Sequence, residues 1–253
     1  MKEKLTNIYI YIVQRAAMAS LLTVKDLRHG FGAGKTRLEV LQGVEFEIAP
    51  GELVALMGPS GCGKSTLLNI IGGLLAADSG QVHANGFAYG QQPPHALVEL
   101  RRSTIGWIFQ DFHLLPHLSA LDNVTLALEL AGTAPQEAEQ RAVAALERVN
   151  LGNRAQHRPD ELSGGQSQRT AIARAIAGER KLLLADEPTG NLDVATSREI
   201  LDLFRELCHT GSGLSILMVT HDATLAARAD RMLLLHEGSV AASDVKSAWG
   251  DAA

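Results

Sequence analysis

The stretch "LMGPSGCGKSTLL", Leu56–Leu68, places three glycines, a lysine and two hydroxyl residues between two apolar runs. It matches the pattern GxxxxGK[ST] from Gly58 to Ser65. The apolar run "ELVALMG" before it predicts a buried strand, and "STLLNIIGGL" after it predicts a helix. Glycines in such a turn let successive backbone N–H groups point inward, and the helix adds the positive end of its dipole. The stretch therefore predicts a phosphate-binding loop.

Within this loop the side chains have different predicted roles. We expect the Lys64 ammonium to contact the β- and γ-phosphates, and the Ser65 hydroxyl to ligate a Mg²⁺ ion that bridges them. Cys62 is interpreted as a small loop residue, with a redox-active thiol near a helix N-terminus as the alternative. The predicted nucleotide contacts here are Gly58, Pro59, Ser60, Gly61, Cys62, Gly63, Lys64, Ser65 and Thr66.

The composition is that of an ordinary globular chain. Of 253 residues, 46% are hydrophobic and 20% are charged, a balance that supports a well-buried core. The net charge of -5 argues against nucleic acid as the main partner, although it leaves room for local basic patches, and nucleic acid is not an expected partner. The two cysteines form no CxxC pattern, which argues against a disulfide framework or a zinc site. The apolar runs are shorter than the roughly 18 residues that a spanning helix needs.

The chain is divided into one domain and two terminal segments. Residues 1–20 are interpreted as an N-terminal extension, residues 21–240 as a single domain, and residues 241–253 as a tail. The extension has a basic start and a short apolar core, so a secretory signal is one reading. The other reading is a choice of start codon upstream of Met18, which leaves open whether residues 1–17 belong to the native protein.

The order of predicted elements indicates an α/β fold. "LLTVKDL" and "VEFEI" alternate as strands, and Asn85-Gly86 predicts a hairpin turn. Between Leu97 and Gly152 the pattern is helical, with Gly152 available as a C-terminal cap. From Gln166 onward, helices alternate with short apolar strands. Such alternation predicts a parallel sheet covered on both faces.

Two carboxylates follow one of these strands. In "LLLADE", Leu182–Glu187, the apolar residues form a central strand, so Asp186 and Glu187 emerge at its C-terminal end. Ligands bind at that end in open α/β sheets. We expect Asp186 to hold the Mg²⁺ through water and Glu187 to deprotonate the water that attacks the γ-phosphate. The alternative is a solvated loop.

A second glycine-containing turn begins a later helix. In "LSGGQSQR", Leu162–Arg169, a serine and two glycines precede the helix, as in the first loop but without a lysine. The stretch predicts either a second anion-binding turn or a capped helix start. The candidate residues are Ser163, Gly164, Gly165 and Gln166.

Together these stretches resemble the ATP-binding cassette (ABC) ATPase family, over about Leu22 to Gly238. The resemblance implies the P-loop NTPase fold of these ATPases: a mostly parallel central sheet, an antiparallel β subdomain, and an inserted helical subdomain at about residues 110–160. It also implies ATP hydrolysis with Mg²⁺, with Lys64, Glu187 and His221 as catalytic residues. The implied metal ligands are Ser65, Gln110 and Asp186.

Further family positions match outside the three main stretches. Gln110 in "WIFQDFHLLP" resembles the Q-loop glutamine, "NLD" at residues 191–193 resembles the D-loop with Asp193 near nucleotide, and His221 in "MVTHD" resembles the switch histidine. Phe31 resembles the aromatic residue that stacks on adenine, with a plain loop phenylalanine as the alternative. In this family the signature, Leu162–Gln166 here, closes over the nucleotide of another subunit, so the resemblance implies a homodimer.

The amino-acid sequences of two stretches resemble one subgroup of the family. "IGWIFQDFHLLPHLSALDNV" and "LLLADEPTGNLD" look like ATPases of lipoprotein release, of macrolide, peptide or glycolipid export, and of cell division. That subgroup implies an integral membrane permease with a large extracytoplasmic domain, a periplasmic adaptor as a further candidate, and a place on the cytoplasmic face of the plasma membrane. Ser167 and Thr170 depart from the subgroup pattern and leave the exact subgroup open. An importer ATPase and a soluble ABC protein are the alternatives.

Overall fold

The computed structural model describes residues 20–211 and 213–243. The predicted extension, apart from Ser20, and the predicted tail beyond residue 243 lie outside the described residues. Across the described part, the element order follows the alternation expected from the sequence.

Ten strands and seven α-helices lie in the described ranges. The strands are β1 (Leu22–Phe31), β2 (Leu38–Ile48), β3 (Leu53–Met57), β4 (Ser79–Ala84), β5 (Phe87–Tyr89), β6 (Ile105–Ile108), β7 (Leu182–Asp186), β8 (Ser215–Val219), β9 (Arg231–His236) and β10 (Ser239–Ser243). The helices are α1 (Lys64–Ile71), α2 (Val98–Ser103), α3 (Ala120–Leu130), α4 (Pro135–Arg148), α5 (Gly164–Ile176), α6 (Val194–His209) and α7 (Ala223–Ala226).

The strands form two sheets. One is antiparallel with the order β2-β1-β4-β5, and the other has the order β10-β9-β3-β8-β7-β6. In the second sheet β3, β6, β7, β8 and β9 pair in parallel, and β10 joins antiparallel at the edge. The predicted α/β class, with a mostly parallel sheet beside an antiparallel one, is confirmed. Because β10 ends at Ser243, the sheet includes residues 241–243, which the sequence analysis assigned to the tail.

The central strand β3 shows why the parallel sheet needs cover on both sides. All five of its side chains are fully buried. Successive side chains of a strand point to opposite faces, and here Ala55 and Met57 join the core under α5 and α6, whereas Val54 and Leu56 join the core under α1 and the antiparallel sheet. The continuous apolar run of β3 is thus shared between two cores.

The helical subdomain is formed by α3 and α4, which pack against each other and against α5. Gly152 was predicted as the C-terminal cap of α4, and this prediction is wrong. The helix ends at Arg148, and Asn150 takes the left-handed conformation at φ 59°. Asparagine tolerates that conformation well, and the turn is closed by a bond from the Leu151 N–H to the Leu146 carbonyl at 2.8 Å. The helix is therefore terminated by the turn at Asn150, two residues before Gly152.

Asn123 on α3 holds the loop that precedes this helix. The side chain is 3% exposed and accepts a hydrogen bond from the Leu115 N–H at 2.7 Å. Its amide group donates to the carbonyls of Leu115, Leu118 and Ser119 at 3.2, 3.1 and 2.9 Å. One side chain thus provides hydrogen-bond partners for a backbone N–H group and for three backbone carbonyl groups of this loop.

Replacing Asn123 by alanine should lower the free energy of unfolding by about 2–3 kcal/mol, because buried backbone groups would lose their partners. Urea denaturation followed by circular dichroism measures this loss. Asn153→Ala, at an exposed position in a short turn, is the matched control and should change the stability by less than about 0.5 kcal/mol. Equal midpoints for the two variants would contradict the assigned anchoring role.

Candidate active site

The loop between β3 and α1 takes a conformation that requires glycine at two positions. Gly58 has φ 154°, and a Cβ there would lie 2.3 Å from the Leu235 carbonyl oxygen. Gly63 has φ 103°, and its Cβ would lie 2.7 Å from a methyl carbon of Val40. Left-handed backbone is accessible to glycine at no steric cost. These glycines let the loop fold tightly against neighbouring strands before α1 begins at Lys64.

Lys64 folds back over this loop. Its ammonium donates to the carbonyl oxygens of Gly58 at 2.9 Å and of Pro59 at 2.8 Å. Lysine is a compact point charge on a flexible stem with three donors. The positive charge is therefore held at the mouth of the loop, at the N-terminus of a helix, where an anion is favoured.

Asp186 lies at the C-terminal end of β7, next to the start of α1. It accepts a hydrogen bond from the Ser65 hydroxyl. Burial raises the pKa of the Asp186 carboxyl, and the charge of Glu187 raises it further, whereas the Ser65 hydrogen bond and the charge of Lys64 oppose the rise. A carboxylate oxygen and a hydroxyl oxygen in contact form the hard-oxygen donor set that Mg²⁺ prefers. The two residues thus fit a magnesium site.

Glu187 and His221 lie next to each other at the ends of two neighbouring strands. Glu187 directly follows β7, and its N–H donates to the Val219 carbonyl at 3.2 Å at the end of β8. Its backbone is left-handed at φ 47°, a conformation that costs a non-glycine residue roughly 1–3 kcal/mol. The His221 Nδ1 lies 3.4 Å from a Glu187 carboxylate oxygen. The strand ends therefore present a carboxylate and an imidazole together.

A groove joins the loop to Glu187, and we call it the nucleotide groove. Its lining residues are Phe31, Val40, Ser60, Gly61, Gly63, Lys64, Ser65, Thr66, Glu187 and Val219. A second groove on the other side of Glu187 includes His221, Asp222 and Thr220. Glu187 thus lines both. Val40 and Val219 were not predicted, because an apolar strand residue that lines a groove carries no signal that separates it from the core.

Phe31 stands at the rim of the nucleotide groove. Its side chain is 49% exposed and packs edge-on against the His29 ring, with ring centroids 4.8 Å apart at 84°. Edge-to-face packing holds the phenylalanine by one edge. An accessible aromatic side chain therefore stands on the same groove as the phosphate-binding loop.

The residues Ser163–Gln166 lie elsewhere. The Ser163 Oγ accepts from the Gln166 N–H at 3.3 Å, and the Gln166 side chain accepts from the Ser163 N–H at 3.0 Å, which caps α5 reciprocally. A Cβ at Gly165 would lie 2.5 Å from a Thr196 methyl, so the start of α5 abuts the start of α6. These four residues are absent from the lining of the nucleotide groove in the described chain. One chain alone forms the capped helix start, and a role toward nucleotide stays a prediction.

Gln110 and Asp193 also lie outside the lining of the nucleotide groove in the described residues. The Gln110 amide donates to the Asn191 side chain at 3.3 Å, and the Asn191 amide donates to the Gln110 carbonyl at 3.2 Å. Asp193 caps α6 by accepting from the N–H groups of Ala195 and Thr196 at 2.9 and 3.0 Å. These hydrogen bonds, led by that from the Thr196 hydroxyl, lower the pKa of the Asp193 carboxyl. Of the predicted residues, Gln110 thus lies beside Asn191, and Asp193 lies at the start of α6.

No helix in the described ranges combines the length and the apolar character that a bilayer crossing requires.

Known proteins resemble this chain over most of its length. The family model described as "ABC transporter" matches residues 41–190. The lipoprotein-releasing system ATP-binding protein LolD of Paramagnetospirillum magneticum is 46% identical over 217 residues, which is 86% of this chain and 96% of that protein. LolD of Geobacter metallireducens is also 46% identical, over 89% of this chain and all of that protein.

Solved structures agree with these relatives. A dimeric structure of the ATP-binding cassette MJ0796, in a post-hydrolysis state bound to ADP and Pi, superposes with a TM-score of 0.78 at 37% identity, over 88% of this chain and 98% of that one. A second dimeric structure of MJ0796 gives a TM-score of 0.76 at 38% identity. Both the sequence and the fold match an ATP-binding cassette over nearly its whole length, so this chain belongs to the ABC transporter family as an ATP-binding cassette.

Proposed function

We propose that this chain hydrolyses ATP to drive a membrane permease that releases lipoproteins from the membrane. The proposal of ATP hydrolysis is supported by one observation. Four residues lie close together at the ends of β3 and β7, namely Lys64, Ser65, Asp186 and Glu187. The lipoprotein cargo rests on the relatives, which are ATP-binding proteins of lipoprotein-releasing systems. Release of a membrane-held cargo needs mechanical work, which a change between two states of an ATPase supplies.

The nucleotide groove suits ATP from base to γ-phosphate. Phe31 at its rim offers an aromatic face to adenine. The backbone N–H groups from Ser60 to Thr66 and the N-terminus of α1 would face the phosphates, and Lys64 would move from its two carbonyl partners to the β- and γ-phosphate oxygens.

Magnesium fits the pair formed by Ser65 and Asp186. When bound, the ion would supply positive charge that offsets the negative charge of the phosphates. Binding at this pair requires an ionised Asp186. Burial makes the unpaired carboxylate costly and raises its pKa, and the charge of a bound cation would offset that cost. Gln110 is bonded to Asn191 instead, so its proposed ligand role needs its side chain to turn away from the D-loop.

Hydrolysis requires a base, and Glu187 has the right position for it. We assign Glu187 to orient a water molecule and to take its proton as the water oxygen attacks the γ-phosphorus. The bond between the γ-phosphorus and the bridging oxygen breaks, and ADP leaves with that oxygen. His221, 3.4 Å from Glu187, then stabilises negative charge that develops on the γ-phosphate and orients the carboxylate.

Two copies of the chain would complete the site. Because Ser163–Gln166 lie outside the groove of their own chain, a two-fold related copy can bring its α5 N-terminus to the γ-phosphate. The similar MJ0796 cassettes are described as dimeric. Asp193, at the adjoining start of α6, would then lie near the same nucleotide.

Replacing Ser163 by arginine should spare ATP binding by one chain and lower turnover by about tenfold or more, since a bulky side chain forced into a closed contact costs about 1–3 kcal/mol. Equilibrium binding of a fluorescent ATP analogue and steady-state phosphate release measure the two effects. Ser163→Ala is the matched control, because both changes remove the cap, worth about 1 kcal/mol, and only one adds bulk. Equal turnover of the two variants would argue against closure over Ser163.

The membrane partner can be identified directly. We place the chain on the cytoplasmic face of the plasma membrane through its permease, and we expect mass spectrometry of proteins that co-purify from detergent-solubilised membranes to find a subunit with a large extracytoplasmic domain. A many-helix permease with a binding protein would instead indicate import. Recovery without any membrane protein would overturn the transport role.

A further inference from the structure

Arg174 lies in the last turn of α5, the helix that begins at the signature, and its side chain crosses to the segment after Gln110. Its guanidinium donates to the His113 carbonyl at 2.5 Å and to the Phe112 carbonyl at 2.7 Å. The planar arginine fork holds two acceptors in one fixed geometry, whereas a lysine ammonium is a point charge on a flexible stem. One side chain thus connects the helix to two consecutive residues of the loop.

The two residues that Arg174 contacts have unusual backbone conformations. Phe112 and His113 are both left-handed, at φ 57° and 46°, although neither is a glycine. Such a conformation persists where surrounding interactions determine it. The Arg174 hydrogen bonds to both carbonyls are the kind of interaction that does so.

Hydrogen bonds from two other parts of the chain hold the same loop segment, residues 110–115. Asn191, before α6, bonds to the Gln110 carbonyl and to the Asp111 side chain at 3.2 and 2.9 Å. Asn123 of α3 holds the loop from its far end at Leu115. Residues 110–115 are therefore held at three points, of which Arg174 is the one on the signature helix.

We infer that Arg174 is a positioning residue for ATP hydrolysis, which fixes the Phe112-His113 turn so that Gln110 and the N-terminus of α5 move as one unit. This inference rests on the proposed function, because Gln110 and Ser163 matter only if ATP is hydrolysed between two copies. Arg174 acts through the backbone of the loop and does not line the nucleotide groove.

The test uses the full chain and measures kcat, KM and the ATP dissociation constant. Arg174→Lys keeps the charge and loses the fork, and should lower kcat by about 10- to 100-fold, the cost of a small misplacement of a catalytic group, with ATP binding unchanged. Arg101→Lys is the matched control, because the Arg101 guanidinium also donates to two backbone carbonyls, of Gly73 and Pro94, at 2.7 and 2.8 Å. That variant should keep its kcat.

A second pair of variants separates positioning from a general loss of packing. In the Arg174→Lys background, His113→Gly should restore kcat to within about threefold of the parent chain, because glycine adopts left-handed backbone at no steric cost. His113→Ala removes the same imidazole without that freedom and should not restore it. An unchanged kcat in Arg174→Lys, an equal loss in Arg101→Lys, or equal effects of glycine and alanine would overturn the inference. Lack of ATPase activity in the parent chain would overturn the proposed function instead.

Discussion

Replacing Glu187 by glutamine should lower the rate of ATP hydrolysis by about 10²- to 10⁴-fold, the range that general-base catalysis contributes. The amide keeps the size of the side chain and loses the proton acceptor, so ATP binding should remain. Blocked hydrolysis should also trap the closed pair of chains. Phosphate release measures the rate, and sedimentation velocity with saturating MgATP, compared with MgADP, measures the pairing.

Glu237→Gln is the matched control for this change. Glu237 is exposed in the turn between β9 and β10 and, like Glu187, has left-handed backbone, at φ 49°. Both variants therefore place glutamine in the same conformation, and only one of them lies at the strand end beside His221. If Glu187→Gln remained a monomer with MgATP, the proposal of a nucleotide-bridged homodimer would fail.

Replacing Lys64 by alanine should raise the ATP dissociation constant by about 10- to 100-fold, since each hydrogen bond from a charged group contributes about 1.5–3 kcal/mol. Turnover should fall below detection, because the same ammonium also faces the charge that develops on the γ-phosphate. Isothermal titration with ATP and a phosphate-release assay measure the two losses. Alanine is a good helix former, so α1 should still begin at this position.

Lys25→Ala controls for the loss of one positive charge. Lys25 is exposed on β1, away from the residues that line the nucleotide groove, and its loss should leave both constants unchanged within about twofold. Comparing Lys64→Ala with Glu187→Gln gives a stricter test than this control, because Lys64→Ala should lose ATP binding and Glu187→Gln should keep it. Equal ATP affinity of Lys64→Ala, Glu187→Gln and the parent chain would contradict the assignment of Lys64 to the phosphates.

Residues close in sequence to a strand end or a helix start were predictable. Lys64 follows β3 within a short loop, and Asp186 and Glu187 stand at the end of β7. Their positions at the C-terminal ends of these strands could be predicted because they depend on local backbone geometry. The α/β class follows from the alternation of buried strands and helices, and the structure confirms it. The cap at Asn150 was missed because several neighbouring residues could hold a left-handed backbone, and packing selects among them.

The sequence by itself identified the candidate residues for phosphate, base and helix-capping chemistry, since spacing along the chain indicates those roles. Only the tertiary structure decided their grouping. Lys64, Ser65 and Glu187 line one groove, with Asp186 beside Ser65, because parallel pairing aligns β3, β8 and β7 with their C-terminal ends at one edge. Ser163 and Gln110 lie apart from it, and the bonds of Arg174 are made across 61 and 62 positions of sequence. Contacts of that separation depend on how helices pack, which local sequence patterns do not specify.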